Sequence, residues 1–333
     1  MGASGFSVSP TLSQLRSDPR WKTDGHALVR FSHLGETGTM EIVPVFDGVL
    51  LCLNDFHMHQ VPNDSHAQTR QLLVNYCEEG RCEVNLGDHG FVYVDTGWLS
   101  VDAHAATDLF VYPTGRYKGV EYLFDLDELA RFTPQAFVEL GIDPSALPGI
   151  FCPDGKGFLA RAPEHVESIF QSISSARAEP LPFYRLKTLE LLYALVNMDR
   201  GTVRSRRTWL TNGQTMIAKQ VYADMTESPQ RPIDVPGLAQ RFGVSASSVR
   251  SYFRSVYGEN LSVVLRRARM EKAARLLRES DLLVTEVALE SGYENQSKFA
   301  AAFRRFTGDA PLEYRRKTRC AGAEGAERAM PRT

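Results

Sequence analysis

The chain has 333 residues, enough for about two domains with cores of their own, and its 43% apolar and 23% charged content excludes a disordered or collagen-like polymer. Lys plus Arg number 38 and Asp plus Glu 40, a formal net charge of −2 that argues against a polyanionic partner if the charge is evenly spread. Five cysteines at irregular spacing exclude a secreted disulfide framework, and no run has the length of a signal-peptide core near the start or of a membrane span anywhere, so a cytoplasmic protein without membrane contact is expected.

From Ala27 to Phe124 the sequence predicts short strands: Met40 to Phe46, Val49 to Leu53, Gln71 to Cys77, Cys82 to Leu86, Phe91 to Val94, Trp98 to Val101, Leu109 to Tyr112 and Gly119 to Phe124. Asp47-Gly48, Glu79-Gly80, Gly87-Asp88, Thr96-Gly97 and Thr114-Gly115 supply turns between them. Many short strands without intervening helices point to an antiparallel barrel or sandwich. His57, His59 and His66 suggest imidazole metal ligands. However, Pro62, Asn63, Asp64 and Ser65 lie among them, so Asn54 to Ala67 reads as a polar, turn-rich loop and no metal site is assigned. Cys77 and Cys82 flank the expected Glu78–Arg81 turn and could face each other across a hairpin, as a thiol switch or as buried structural thiols. Arg116, Tyr117 and Lys118 could attract an anion or form a solvated loop.

After Asp125 the spacing turns helical. Val166, Ile169, Phe170 and Ile173 define one face of a helix that starts after Pro163. A second helix, Tyr184 to Asn197, carries Leu186, Leu189, Leu192, Tyr193 and Val196 on one side, widened by Leu191 and Leu195, and serves as a core helix or a dimer contact. The basic stretch from Arg200 to Arg207 has no apolar period and reads as a linker.

The C-terminal third contains an internal near-repeat. Leu238, Ala239, Phe242, Gly243 and Val244 match Val287, Ala288, Ser291, Gly292 and Tyr293 at an offset of 49, and Val249, Phe253, Arg254 and Gly258 match Phe299, Phe303, Arg304 and Gly308 at an offset of 50. Each copy predicts a short helix, a turn and a second helix, the second turn being one residue longer, which is a helix-turn-helix arrangement. Asp234 and Ser245 are N-caps, Pro236 falls in a first helical turn, and Gly243 provides a left-handed helix end. Between the copies, Leu261 to Arg278 predicts one continuous helix about 27 Å long, near the ~34 Å repeat of a DNA turn. From Lys219 to Arg319 there are eighteen Lys/Arg against twelve Asp/Glu, a local net of +6, while the remainder carries −8. Such a basic segment attracts phosphate.

The run Ala268 to Leu277 (ARMEKAARLL), with Glu286-Val287-Ala288, Gly292-Tyr293, Gln296-Ser297, Phe299, Phe303-Arg304-Arg305, Gly308, Pro311 and Tyr314-Arg315, resembles the paired helix-turn-helix domain of AraC/XylS transcription regulators over about a hundred residues. The resemblance implies base contacts by Ser247, Arg250 and Ser251 in the first unit and by Gln296, Ser297 and Ala301 in the second. Beside them, Arg254, Lys298, Arg304 and Arg305 are the expected phosphate contacts. Asn260-Leu261 and Leu283 depart from the family pattern and should weaken two helix starts, and Ala301 should read fewer bases.

The expected fold is α+β and multidomain: a cupin-like antiparallel β effector domain over 1–130, a helical dimerisation or bridge region over 131–199, a linker over 200–214, an all-α double helix-turn-helix domain over 215–318 and a flexible tail over 319–333. The expected function is a one-component, sequence-specific regulator, more an activator than a repressor, with no catalytic residue and no cofactor. Its implied partners are double-stranded promoter DNA, RNA polymerase, an unidentified small-molecule effector and a second copy of the chain. The competing reading is a cupin-type metal-dependent enzyme with an appended DNA anchor.

Overall fold

In the computed structural model the described residues are 7–9, 26–62, 70–85, 90–103, 109–153, 157–176, 179–199 and 209–328, with side chains described within 26–319. The chain forms two compact units, Met1–Asn212 and Gly213–Thr333. No helix among the described residues is long and apolar enough to cross a membrane.

The N-terminal unit is built from β1 (Ser7–Ser9), β2 (Ala27–His33), β3 (Glu36–Phe46), β4 (Val49–His57), β5 (Gln60–Pro62), β6 (Gln71–Asn85), β7 (Phe91–Asp95), β8 (Trp98–Asp102), β9 (Leu109–Val111), β10 (Tyr117–Asp125) and β11 (Phe158–Arg161). All pairings are antiparallel, and the main sheet runs β1-β2-β3-β4-β10-β6-β8-β11. Among the described residues this path stays open, its ends being β1 and β11. A smaller sheet joins β5, β9, β7 and the far half of β6.

The long strand β6 corrects one expectation. Glu79-Gly80 is not a hairpin turn but lies within a single strand of fifteen residues, paired with Lys118 and Tyr117 of β10, and the register shift at Lys118/Gly119 makes Glu78 the bulged residue. Gly80 has φ +86°, and a Cβ there would lie 1.9 Å from the Arg116 carbonyl oxygen. The bulge bends β6 so that Gln71–Cys77 belongs to the main sheet and Arg81–Asn85 to the smaller one. Cys77 and Cys82 therefore follow each other along one strand rather than facing across a turn. Both are buried free thiols, and burial pushes Cys77 up to about 12, which keeps it protonated and unreactive. Arg116 and Lys118 are not a free anion trap: Arg116 pairs with Asp55 and Glu79, and Lys118 with Glu78 at 2.7 Å, while Tyr117 is fully buried.

Helices α1 (Leu126–Arg131), α2 (Gln135–Glu139) and α3 (Leu147–Phe151) follow the sheet, then α4 (Glu164–Ser175) and α5 (Leu181–Val196). Val166, Ile169, Phe170 and Ile173 of α4 are buried, as their spacing predicts. Phe170 stacks on Tyr76 at 4.8 Å between centroids, and the Tyr76 hydroxyl donates to Glu167 at 3.0 Å. These side chains share one core with Val43, Leu51, Val74, Val120 and Tyr122 of the sheet, each fully buried large apolar group contributing roughly 1.5–3 kcal/mol. The region 131–199 is thus packed into the N-terminal unit. The face of α5 differs from the expected one: Tyr184, Thr188, Leu191, Leu192 and Leu195 are buried, while Leu186 and Tyr193 remain 64% and 56% exposed. A helix apolar on nearly every side gives no clear period, and the Thr188 hydroxyl, donating to the Tyr184 backbone carbonyl at 2.7 Å and lying 3.1 Å from the Tyr122 hydroxyl, is satisfied inside.

His57 and His59 stand at the end of β4 and in the bend after it, each near its own carboxylate: Asp55 at 3.9 Å and Glu36 at 2.5 Å respectively. The strand continues through Asn54–His57, where a loop is expected, because β3 and β10 pair with it on both sides. His66 lies outside the described residues, as do 200–208 of the expected linker. The rest of that segment is structured: Leu210 is buried and exchanges two backbone hydrogen bonds with Phe91, and a helix begins at Asn212.

Replacing Gly80 by Ala should destabilise the N-terminal unit by more than ~1 kcal/mol, since the new methyl meets backbone at a positive φ. Thermal unfolding followed by circular dichroism reads this as an earlier transition of the β signal.

Candidate nucleic-acid interface

The C-terminal unit contains α6 (Asn212–Glu227), α7 (Val235–Phe242), α8 (Ala246–Tyr257), α9 (Leu261–Glu279), α10 (Val284–Glu290), α11 (Gln296–Thr307) and α12 (Pro311–Arg328). The expected tail from 319 thus begins inside a helix that continues to Arg328.

In the first helix-turn-helix, Asp234 Oδ1 accepts from the Gly237 amide at 3.0 Å and so caps α7, which ends at Gly243 with φ 65°. Ser245 Oγ accepts from the Ser248 amide at 3.0 Å and starts α8. Val249, Phe253, Val256 and Tyr257 are buried, and Tyr257 stacks on Tyr222 of α6 at 4.5 Å. That packing leaves Ser247, Arg250, Ser251 and Arg254 exposed on one face of α8, at positions one helical turn apart. The Ser247 hydroxyl lies 2.7 Å from Ser245 Oγ, within the cap, and Arg250 Nη1 folds back on the Ala246 carbonyl at 3.3 Å.

The second unit repeats the design. Asn295 Oδ1 accepts from the Lys298 amide at 2.9 Å, and Phe299 and Phe303 are buried against Met270, Ala273, Leu277, Val287 and Ala288. Gln296, Ser297, Lys298, Ala301, Arg304 and Arg305 are all exposed on α11. The weak start expected at Leu283 is remedied by Glu286, whose Oε2 accepts from the Leu283 amide at 2.6 Å. A leucine side chain has no acceptor, so this is half of a capping box, and Glu286 three residues on was the readable signal for it. At Asn260 no side-chain cap forms, as expected.

The two units are joined by α9, nineteen residues and about 28 Å long, and by one side chain not singled out in the sequence. Arg269, in the middle of α9, donates from Nε to the Pro229 carbonyl at 2.7 Å, ahead of the first unit, while its guanidinium lies 5.8 Å from the Tyr293 ring, in the turn of the second. Gly292 fits against it so closely that a Cβ would lie 2.8 Å from Gln230 Cα and 2.9 Å from the guanidinium. Lys272 donates to Gln230 Oε1 at 3.0 Å beside it.

Charge is distributed with the same economy. Arg241, Arg267, Lys272, Lys317 and Arg319 each pair with a carboxylate, whereas Arg250, Arg254, Lys298, Arg304 and Arg305 make no ion pair among the described residues. The exposed faces of α8 and α11 thus carry five cations with no carboxylate partner among the described residues, which can meet phosphate or base edges.

Residues 238–317 match a helix-turn-helix domain family. The chain is 30% identical over 105 residues to the HTH-type transcriptional activator RhaR of Salmonella schwarzengrund, covering 32% of this chain and 37% of that protein. It is 31% identical over 108 residues to a Streptomyces lividans protein named as an AraC-like transcription regulator, covering 32% of this chain and 36% of that one. Little more than a third of either relative is spanned. Among solved structures, the DNA-binding domain of AdpA, described as the global transcriptional factor in complex with a target DNA, is 33% identical, with 31% of this chain and 94% of that chain covered and a TM-score of 0.30.

Arg269→Ala should cost the C-terminal unit about 1–3 kcal/mol, because the Pro229 carbonyl loses its charged donor. Arg269→Lys should recover little, an ammonium being unable to fork between carbonyl and ring. Denaturant unfolding followed by the helical signal measures both.

Proposed function

We propose that this chain, whose C-terminal unit is a DNA-binding helix-turn-helix domain of AraC type, is a one-component transcription regulator that acts in the cytoplasm. The observation that carries the reading is the pair of exposed helices, α8 and α11, with unneutralised cations, held on one rigid bridging helix. Each enters a major groove; Ser247, Arg250 and Ser251 read one segment, and Gln296, Ser297 and Ala301 the next. Arg250 suits a guanine edge and Gln296 an adenine edge, each good pair being worth ~1–3 kcal/mol of discrimination. Arg254, Lys298, Arg304 and Arg305 hold phosphates. The N-terminal unit, a cupin-like β domain in this reading, receives a small-molecule signal, and the regulator recruits RNA polymerase as an activator.

The second copy docks through α5. Leu186 and Tyr193 are exposed and share a face with the half-buried Leu189 and Val196, an apolar stripe at helical spacing.

Binding of purified protein to the DNA upstream of its own gene should exceed binding to unrelated DNA by at least ~10³ at ~0.15 M salt, and anisotropy titrations showing no preference would defeat the proposal. Arg250→Ala should weaken specific binding by about 5- to 150-fold with little change on unrelated DNA. Arg304→Ala, by contrast, should weaken both and reduce the salt slope by about one. A Leu186→Glu/Tyr193→Glu double variant should sediment as a monomer where the parent chain sediments as a dimer.

A further inference from the structure

The inward face of the main sheet carries a polar row that a structural core does not need. Antiparallel partners share a face, and the register places Cys52 of β4 opposite Glu121 of β10, Glu121 opposite Asn75 of β6, and Asn75 opposite Ser100 of β8. Asn54 and Asp102 lie on the same face two residues along β4 and β8. The alternate residues Leu51, Tyr122, Val74 and Val101 point to the helices and are apolar. Asn54, Asn75, Ser100, Asp102 and Glu121 are all buried, none more than 6% exposed.

Some of their bonding capacity is used internally. Asn54 Nδ2 donates to Glu121 Oε2 at 2.8 Å, and the Tyr117 hydroxyl donates to Asn75 Oδ1 at 2.6 Å. Gly119 makes room for that tyrosine, since a Cβ there would lie 2.4 Å from the hydroxyl oxygen. Tyr117 in turn stacks on Tyr112 at 4.5 Å, and Tyr112 on Phe56 at 5.3 Å. Asn54 Oδ1 and Ser100 Oγ are fully buried with no hydrogen-bond partner, a state that costs about 1–3 kcal/mol per group unless something fills it. The chemistry at this face favours acceptors: the Glu121 carboxyl, an amide oxygen and a hydroxyl, beside electron-rich rings. The nearby buried guanidinium, Arg81, is committed to Asp95 and to the Tyr93 ring. Among the described residues no group of three His, Cys, Asp or Glu side chains is placed to hold a metal ion.

We infer that this row is a binding site for a small organic cation, an alkylammonium or guanidinium compound, whose charge meets Glu121 and whose N–H donors satisfy Asn54 Oδ1 and Ser100 Oγ. The inference rests on the effector reading of the N-terminal unit and gives that effector a chemical class. Burial, opposed by the Asn54 bond and assisted by Asp102, pushes Glu121 up to about 7. The other titratable groups around it, Cys52 on β4, Cys82 on β6, Tyr112 on the strand-β9 side and Tyr117 on β10, are pushed up by burial first and by Glu121 next, so they stay neutral through that range. A cation therefore binds the ionised form of Glu121 and should bind more tightly as pH rises from 6 to 8, by about tenfold for a single group titrating near 7.

The test uses the full chain, thermal-shift and calorimetric titrations, and four probes: methylguanidinium, butylammonium, the neutral isostere N-methylurea, and acetate. Either cation should give a saturable rise in Tm, at least tenfold tighter than N-methylurea, with the stated pH dependence. Glu121→Gln, which preserves the shape and the Asn54 contact, should abolish the preference for charge while melting like the parent at pH 6, where Glu121 is protonated. Absence of a saturable shift with either cation, or a cation response unchanged in Glu121→Gln, overturns the inference. Saturable binding of N-methylurea or acetate in preference to the cations overturns the assigned class and leaves the effector reading standing. A Glu121-dependent cation response with no change in DNA affinity confirms the site and removes the effector reading.

Discussion

Alternation along three central strands, β4, β10 and β6, governs the N-terminal unit. Successive side chains must point to opposite faces, so a strand whose neighbours bury it on both sides has to satisfy two environments at once. Here the odd and even positions part chemically. Leu51, Val74, Val120 and Tyr122 face α4 and α5 and make the larger core. Cys52, Asn75 and Glu121 face the opposite way, toward Tyr112, Tyr117 and the smaller sheet. A one-residue slip would drive Glu121 into the helices, so the apolar face fixes the register and the register assembles the polar row. The bulge at Glu78, with Gly80 at positive φ just after it, lets one strand serve both sheets without breaking this alternation in its first half.

The C-terminal unit is solved by a different economy. Each helix-turn-helix is too small to hold its exposed helix alone: the first buries Phe253 and Tyr257, the latter stacked on Tyr222 of α6, and the second packs Phe299 and Phe303 against α9. Caps at Ser245 and Asn295 set where the exposed helices begin. Since α8 and α11 bury their aromatic sides, the polar and cationic residues are left to the outside by subtraction.

Much of this second unit was legible in the sequence because it rests on local signals: caps, helix-ending glycines and a near-repeat with aligned apolar positions. The strands were legible as elements for a similar reason, yet their partners were not. Glu79-Gly80 reads the same whether the chain turns back there or runs on past a bulge at Glu78, and only the register with β10 decides. In α5, leucines at 186, 189, 191, 192 and 195 match several helical stripes, so the buried face was settled by the sheet beneath it. The polar row was invisible for the opposite reason. Cys52, Asn75, Ser100 and Glu121 are scattered over seventy residues, and a polar residue alternating with apolar ones reads as solvent-facing until a second sheet covers it. Arg269, one arginine among several on a basic helix, has no mark in sequence; its role depends on Pro229 and Tyr293, brought to it from either side.

Arg269 also has a geometrical consequence. The turn of the second unit packs against the loop before the first, so the two helix-turn-helix units are tied across α9 as well as along it. One extra base pair between two recognised segments of B-DNA advances the second by ~3.4 Å and turns it by roughly 34°, a tenth of the helical repeat. A loosely strung pair of helices could follow that rotation; under the proposed reading of DNA, a pair tied through Arg269 would favour one spacing over its neighbours, with the bridging helix as the gauge.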